Sequence, residues 1–424
     1  GIYGNANEDD TIDMRDLTYV KLIFFGKKPE TELADAKYDG KINPLDFIQI
    51  KLIIVGKEKE ITIVDGNGDP VTVHKPVERV IVEFYDTAEL MKMLAKEKVV
   101  GFGSHCPSAR WVMENFLGFS GLPYVGAPWS LDYEAVLNLH PDVLLTFSGK
   151  GISEKREKLP GVAVVYLGLY TPDLSNPERS KFTNGVAKLG YILDREEKAY
   201  EYINWRIGWI DRIKSRIKEL SEEERPRVLT LSGMALRPES WTYKTKGKRD
   251  TVTQEVILAG GKSVAEDLPS YAYEAYNIEV DPEWVIKQNP DYIIVHVVLE
   301  QFAMGYGSDD PSEMAAFRES ILSRPELANV NAVKTGNVYI MFSGFRNDAT
   351  GGIVGASHLA KVFHPTLFPD LDPEAIHQEY LTRFLRLDYD LDEHGVFFYP
   401  PIIKGKGKLA GIPDRYYDSI VAQP

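Results

Sequence analysis

The chain has 424 residues, 44% of them apolar, and its 49 basic against 63 acidic side chains leave a net charge of −14. That length predicts two or three domains with separate cores, and the apolar content excludes a disordered chain. The acidic balance argues against nucleic acid or an anionic lipid surface as the main partner; the single cysteine, Cys106, excludes an intrachain disulfide, and no run of 18 apolar residues offers a membrane span. The start at Gly1-Ile2-Tyr3, within five residues of a motif, is what a mature or trimmed N-terminus would give.

In chain order, the first signal is a repeat. Residues 5–16, NANEDDTIDMRD, and 35–46, DAKYDGKINPLD, fit one 12-residue template at a 30-residue period. Oxygen side chains fall at positions 1, 5, 9 and 12, and an apolar residue, Ile12 or Ile42, falls at position 8. Calcium takes six to eight oxygens, and a tight 12-residue loop supplies them at this spacing. The first loop would use Asn5, Asn7, Asp9, Asp13 and Asp16, with the Thr11 carbonyl at position 7. The second would use Asp35, Asp39, Asn43 and Asp46 with the Lys41 carbonyl. Lys37 stands where the second loop needs an oxygen, so the first loop is expected to hold the ion more tightly. Asp10 replaces the usual glycine of the first loop's turn. Each loop runs into an apolar helix, LTYVKLIFFG or FIQIKLIIVG, that closes on glycine. Two solvated acidic turns would be the bland alternative. The duplicated loop–helix with Asp at position 12 resembles a dockerin module over about residues 1–57. The resemblance implies calcium as cofactor and a cohesin-like protein as partner.

After Gly56, ITIVDGNGDPVTV reads as a hairpin. VERVIVEF is a buried strand, TAELMKMLAKEKVVGFG is helix then strand, and YEAVLNLHPDVLLTF is again helix then strand. Such alternation predicts a parallel sheet built of βα units. Residues 176–224 carry apolar positions at steps of three and four, and predict a near-continuous rod nicked at Gly190. The α/β pattern restarts after Pro226 with RVLTLS, DTVTQEVILAGG, PEWVIKQNPDYIIVHV and NVYIMF, and ends in closing helices. Both halves thus contain a unit in which Glu precedes Pro-Asp by seven residues and a strand follows: Glu134 and Glu283, 149 residues apart.

This layout resembles the helical-backbone class (class III) of ABC-transporter substrate-binding proteins, which handle iron-siderophores, haem and cobalamin. The resemblance covers about residues 60–400 and rests on LPYVGAPWSLDYEAVLNLHPDVLLTF, VDPEWVIKQNPDYIIVHV and NAVKTGNVYIMFSG in that order. It implies two Rossmann-like α/β lobes joined by a long backbone helix, here preceded by a small α-helical calcium-loop domain. The expected segments are 1–57, 58–175, 176–224 and 225–424. It also implies an ABC permease as partner, an extracellular or periplasmic, membrane-associated location, and a permease-docking role for Glu134 and Glu283. Helix-dipole stabilisation of a first-turn carboxylate is the plainer reading of those two residues.

Ligand contacts in α/β lobes come from loops at the carboxyl ends of strands. On those loops stand Tyr85, His105, Trp129, Arg237, Trp241, Tyr243 and Arg346. Aromatic faces suit a flat or bulky ligand, and arginines suit an anionic metal chelate; core packing and solvated charge are the alternatives for each. Direct capture of a metal ion, or of an oxyanion such as molybdate or tungstate, is a second reading of the function. Of the eight histidines only His105 and His296 fall on these loops, and no histidine-rich acidic loop accompanies them. An extracellular enzyme or surface-assembly component tethered through the dockerin-like module is a third reading. No Gly-x-Ser-x-Gly, Walker or His-Glu-x-x-His motif supports it, so no catalytic residue is assigned.

Overall fold

Short runs of β-branched residues become buried strands, and the apolar stripes between them become helices that cover the sheets. In the computed structural model, which describes residues 1–273 and 276–423, contacts gather the chain into two units. The first comprises Gly1–His105, Gly118–Tyr170 and Glu178–Ile203; the second comprises Cys106–Leu117, Thr171–Pro177 and the chain from Asn204 onward.

Unit one opens with two loop–helix repeats. Helix α1 (Met14–Phe24) is capped by Asp13 and α2 (Pro44–Ile54) by Asn43, each with a reciprocal bond from the Asp at the third helical position. Their inner faces bury Leu17, Val20, Ile50 and Ile53. The hairpin follows, with β1 (Glu60–Val64) antiparallel to β2 (Pro70–His74). Asp65 fixes its turn by accepting from the Asn67 and Asp69 amides at 2.8 and 2.9 Å.

The main sheet of this unit joins β3 (Val80–Val82), β4 (Val99–Phe102), β5 (Val143–Leu145) and β6 (Ala163–Val165) in the order β4-β3-β5-β6, all parallel. All three residues of β3 and all three of β5 are 0% exposed, as continuous apolar runs in a doubly covered sheet should be. Helix α3 (Tyr85–Ala95) connects β3 to β4, and α4 (Tyr133–Asn138) precedes β5. Ile81, Leu144 and Val164 meet Val136 of α4 and Ile152 in one apolar cluster.

The rod expected over 176–224 is two helices, α5 (Lys181–Leu193) and α6 (Glu196–Ile217). The break lies at Asp194, in the left-handed region at φ 55°, and not at Gly190. Gly190 is inside α5 because Ala199 passes over it; a Cβ there would stand 2.7 Å from the Ala199 Cβ.

In unit two, β7 (Arg227–Ser232), β8 (Lys262–Ser263), β9 (Tyr292–His296), β10 (Val338–Met341) and β11 (Phe398–Tyr399) form a sheet in the order β8-β7-β9-β10-β11. Only the β10–β11 pair is antiparallel. Helices α7 (Thr251–Leu258), α8 (Pro282–Gln288), α9 (Ile353–Phe363) and α10 (Pro373–Glu379) belong to this unit, and α7 packs on α9. Among the described residues no helix is long and apolar enough to cross a membrane.

Candidate solute and cation sites

The carboxyl ends of β3 and β5 are tied by a buried ion pair. Glu83, 0% exposed, accepts from Lys155 Nζ at 2.7 and 2.8 Å, from Thr146 Oγ1 at 2.9 Å and from the Phe147 amide at 3.1 Å. Full pairing makes such a buried carboxylate tolerable. The pair holds an aromatic group in place beside it. Phe84 lies 4.3 Å from Tyr85, 4.1 Å from Phe147 and 4.6 Å from His105, ring centre to ring centre, and Tyr170 meets Phe147 edge-on at 5.9 Å. Tyr85 and His105 are therefore brought together, and Phe84 and Phe147 join them without having been singled out from sequence. Their signal was position alone, each two residues beyond the end of a strand. Trp129 stands apart at 69% exposure, between Gly126–Ala127 and Ser130–Leu131, which pair as a short hairpin.

In unit two the expected residues separate. Arg237 is exposed, its Nε donating to the Met234 carbonyl at 3.1 Å. Trp241 lies under the Arg324 guanidinium at 3.7 Å, and buried Tyr243 donates to Glu326 at 2.8 Å. Arg346, expected as a loop cation, is instead buried and held by both oxygens of Asp250 at 2.7–3.2 Å. Asp250 also caps α7 through the Val252 amide. A buried guanidinium demands such a partner, and none was legible 96 positions away in the chain.

Around that pair lies a group of ionisable side chains that sequence reasoning did not assemble. Lys246 Nζ is 4.0 Å from Asp250, and burial lowers its pKa to about 8. Glu255 is fully buried, and among the described residues neither of its oxygens has a hydrogen-bond partner; burial, then Asp250 and Asp348, push its carboxyl well up. Asp348, bonded to Thr350, is pushed up to about 7 by burial. His296, at the end of β9, is held well below its usual range by burial and by Lys246 and Arg346. Among the described residues, Ser343 Oγ, His296 Nε2 and Asp348 Oδ2 are buried without hydrogen-bond partners.

The two N-terminal loops take the expected shape. Asp16 and Asp46, both 0% exposed, each accept two backbone amides: Asn7 and Asp13 for one, Lys37 and Asn43 for the other. Burial pushes the Asp16 carboxyl up to about 6. The carboxylates of Asp35, Asp39 and Asp46 all lie within 4.8 Å of one another, a separation one cation can span. In the first loop Arg15 sits across Asp9 and Asp13 at 2.9 and 2.7 Å, and the buried Asn5 Oδ1 has no partner. Both donor sets fit calcium chemically. The convergent carboxylates are in the second loop, whereas the first was expected to be the tighter; Arg15 already neutralises two of the first loop's acids.

Glu134 and Glu283 occupy the same place in their helices. Each is exposed and second in its helix, α4 or α8. Asp132 caps the first by accepting the Ala135 amide at 3.0 Å, and Pro282 opens the second.

A family model described as periplasmic binding protein matches residues 80–343. The chain belongs to the periplasmic binding protein family. It is a solute-binding protein of an ABC transporter, and the family implies an extracytoplasmic location and a binding rather than an enzymatic role. Solved structures share its two-lobed, TroA-like fold. The TroA-like protein FepB from Veillonella parvula is 20% identical, with a TM-score of 0.64 over 80% of this chain and 98% of that one. The molybdate-binding protein MolA from Haemophilus influenzae, bound to molybdate, is 19% identical with a TM-score of 0.60 over 78% and 99%. CeuE from Helicobacter pylori, in a nickel–histidine complex, is 18% identical with a TM-score of 0.57 over 78% and 96%. At these identities the likeness is one of fold. No curated protein matches the chain significantly. The N-terminal repeats and the segment after 343 lie outside the residues that the family model matches.

Proposed function

We propose that this binding protein captures a metal chelate of the iron-siderophore, haem or corrinoid type and delivers it to an ABC permease. The observation that carries this reading is the aromatic group of Phe84, Tyr85, His105 and Phe147 at the carboxyl ends of the first sheet. Flat, polarizable ring faces suit a bulky chelate far better than a hydrated ion. Of the residues expected from sequence, Tyr85 and His105 belong to this group, their rings 5.6 Å apart. An oxyanion is the second reading, favoured by the buried cations Lys246 and Arg346, by the Ser343 Oγ, which has no hydrogen-bond partner among the described residues, and by the molybdate of MolA.

The N-terminal repeats are proposed to bind calcium as a dockerin-like module with a cohesin-like partner. Asp35, Asp39, Asn43, Asp46 and the Lys41 carbonyl would hold one ion. Asn5, Asn7, Asp9, Asp13, Asp16 and the Thr11 carbonyl would hold a second, more weakly because Arg15 must be displaced. Calcium would draw the loop oxygens together and offset their mutual repulsion.

A thermal-shift screen of the full chain against ferric siderophores, haem, cobalamin, molybdate and free metals tests the solute reading. A chelate is expected to raise the melting temperature where its metal alone does not. A rise with molybdate alone would replace the chelate reading by the oxyanion one.

A further inference from the structure

The dockerin-like repeats are built into the first unit. Residues 1–3 run antiparallel beside β1, where Ile2 bridges Ile63, the Tyr3 amide donates to the Thr62 carbonyl at 2.9 Å and the Val64 amide donates to the Gly1 carbonyl at 2.8 Å. The exit from α2 is pinned as well. Lys75 Nζ, 2% exposed, pairs with Glu58, with Asp194 at 2.5 Å and with the Tyr191 carbonyl at 2.8 Å. Glu58, two residues before β1, is thereby fixed to the turn between α5 and α6.

The third attachment falls on the first cation loop. The Ile12 amide donates to the Tyr191 hydroxyl of α5 at 3.1 Å, a buried bond. The Tyr200 hydroxyl of α6 donates to the Asp10 carbonyl at 3.0 Å. Asp10 and Ile12 flank Thr11, whose carbonyl occupies position 7 of the loop. Of the two loops, it is the one proposed to bind more weakly that carries this link.

We infer that the module is an effector domain of the solute-binding unit: a divalent cation entering the first loop tightens α5 and the start of α6 through Tyr191 and Tyr200. The inference rests on the calcium reading above. An ion that pulls the Thr11 carbonyl inward moves Asp10 and Ile12 with it, and both are bolted to the helix pair. By linkage, whatever orders α5 and α6 then raises the loop's calcium affinity by the same factor.

The test is amide hydrogen exchange on the full chain, with calcium chloride against a chelator control, while calorimetry reports calcium binding directly. At calcium ten times the dissociation constant of the first loop, exchange across residues 186–203 is expected to slow about tenfold, together with that of the loop. The double substitution Tyr191→Phe and Tyr200→Phe is expected to leave a calcium heat, at an affinity lowered by the lost coupling, and to abolish the calcium-dependent slowing at 186–203. Calcium heat and loop protection with unchanged exchange at 186–203 in the parent protein would overturn the inference and leave the calcium reading intact. Absence of any calcium heat would overturn both. Slowing that survives the double substitution would overturn the role of the two tyrosines.

Discussion

Among the described residues Glu255 has no partner for either carboxylate oxygen although it is 0% exposed, and glycine makes the space it occupies. A Cβ at Gly355 would stand 2.8 Å from its carboxyl, and one at Gly352 would stand 3.2 Å from Oε1. A charge so placed costs far more than a proton does, so burial favours the neutral acid. Asp348, pushed up to about 7, shares that setting and gives a pH signature. An unfolded aspartate titrates near 3.9, so folding takes up a proton between about pH 4 and pH 7. The stabilisation is complete below about pH 4 and is lost as pH rises through 7. Asp348→Asn keeps an acceptor for Thr350 and needs no proton. Its urea midpoint is expected to fall less between pH 5 and pH 8 than the parent's, and an equal fall would show that Asp348 does not carry the dependence. Arg346 was legible in sequence as a residue worth naming, but its state was not. Pairing with Asp250 depends on an approach across 96 positions that no local spacing encodes.

At the scale of elements, order and type were legible because periodicity is local. The Pro-Asp pairs before β5 and β9 end one helix and start one strand in each unit, as the repeat predicted. What escaped was the turn between α5 and α6. Glycine reads as a breaker in sequence, yet Gly190 continues α5 and serves close packing against Ala199. Asp194 takes the left-handed turn instead, with its side chain held by Lys75. Gly190→Leu is therefore expected to destabilise the protein by about 1–3 kcal/mol through overpacking, read from denaturant unfolding. An uncrowded glycine in a helix interior would give the opposite result, since a better helix former there stabilises by about 1 kcal/mol.

At the scale of the molecule, an acidic surface of net charge −14 has to present specific acids to a partner rather than a diffuse field. Glu134 and Glu283 are proposed to meet that need: each is an exposed carboxylate at the head of one helix in its unit, reached by the same sequence unit. The repeat was legible, and so was the family layout. The joining of the N-terminal repeats to the first unit was not, because it runs through Tyr191, Tyr200 and Lys75, each ordinary in its local context. The proposed docking role separates cleanly from solute binding. Among the described residues, Glu134 makes no hydrogen bond or ion pair to the aromatic group of its own unit, and Glu283 makes none to the Arg346–Asp250 pair of its own. Reversing both charges, Glu134→Arg with Glu283→Arg, is expected to leave solute affinity within about twofold, since surface changes of this kind shift stability by about 0.5 kcal/mol or less. Association with permease-bearing proteoliposomes is expected to fall by about tenfold or more, and the loss to shrink as salt rises, because charges at an interface rim act mainly on encounter and are screened over about 10 Å at 0.1 M. Titration of solute by intrinsic tryptophan fluorescence and co-flotation with proteoliposomes at two salt concentrations measure the two properties on the same preparations. A collapse of solute affinity with unchanged flotation would move both acids from the docking surface to the solute site.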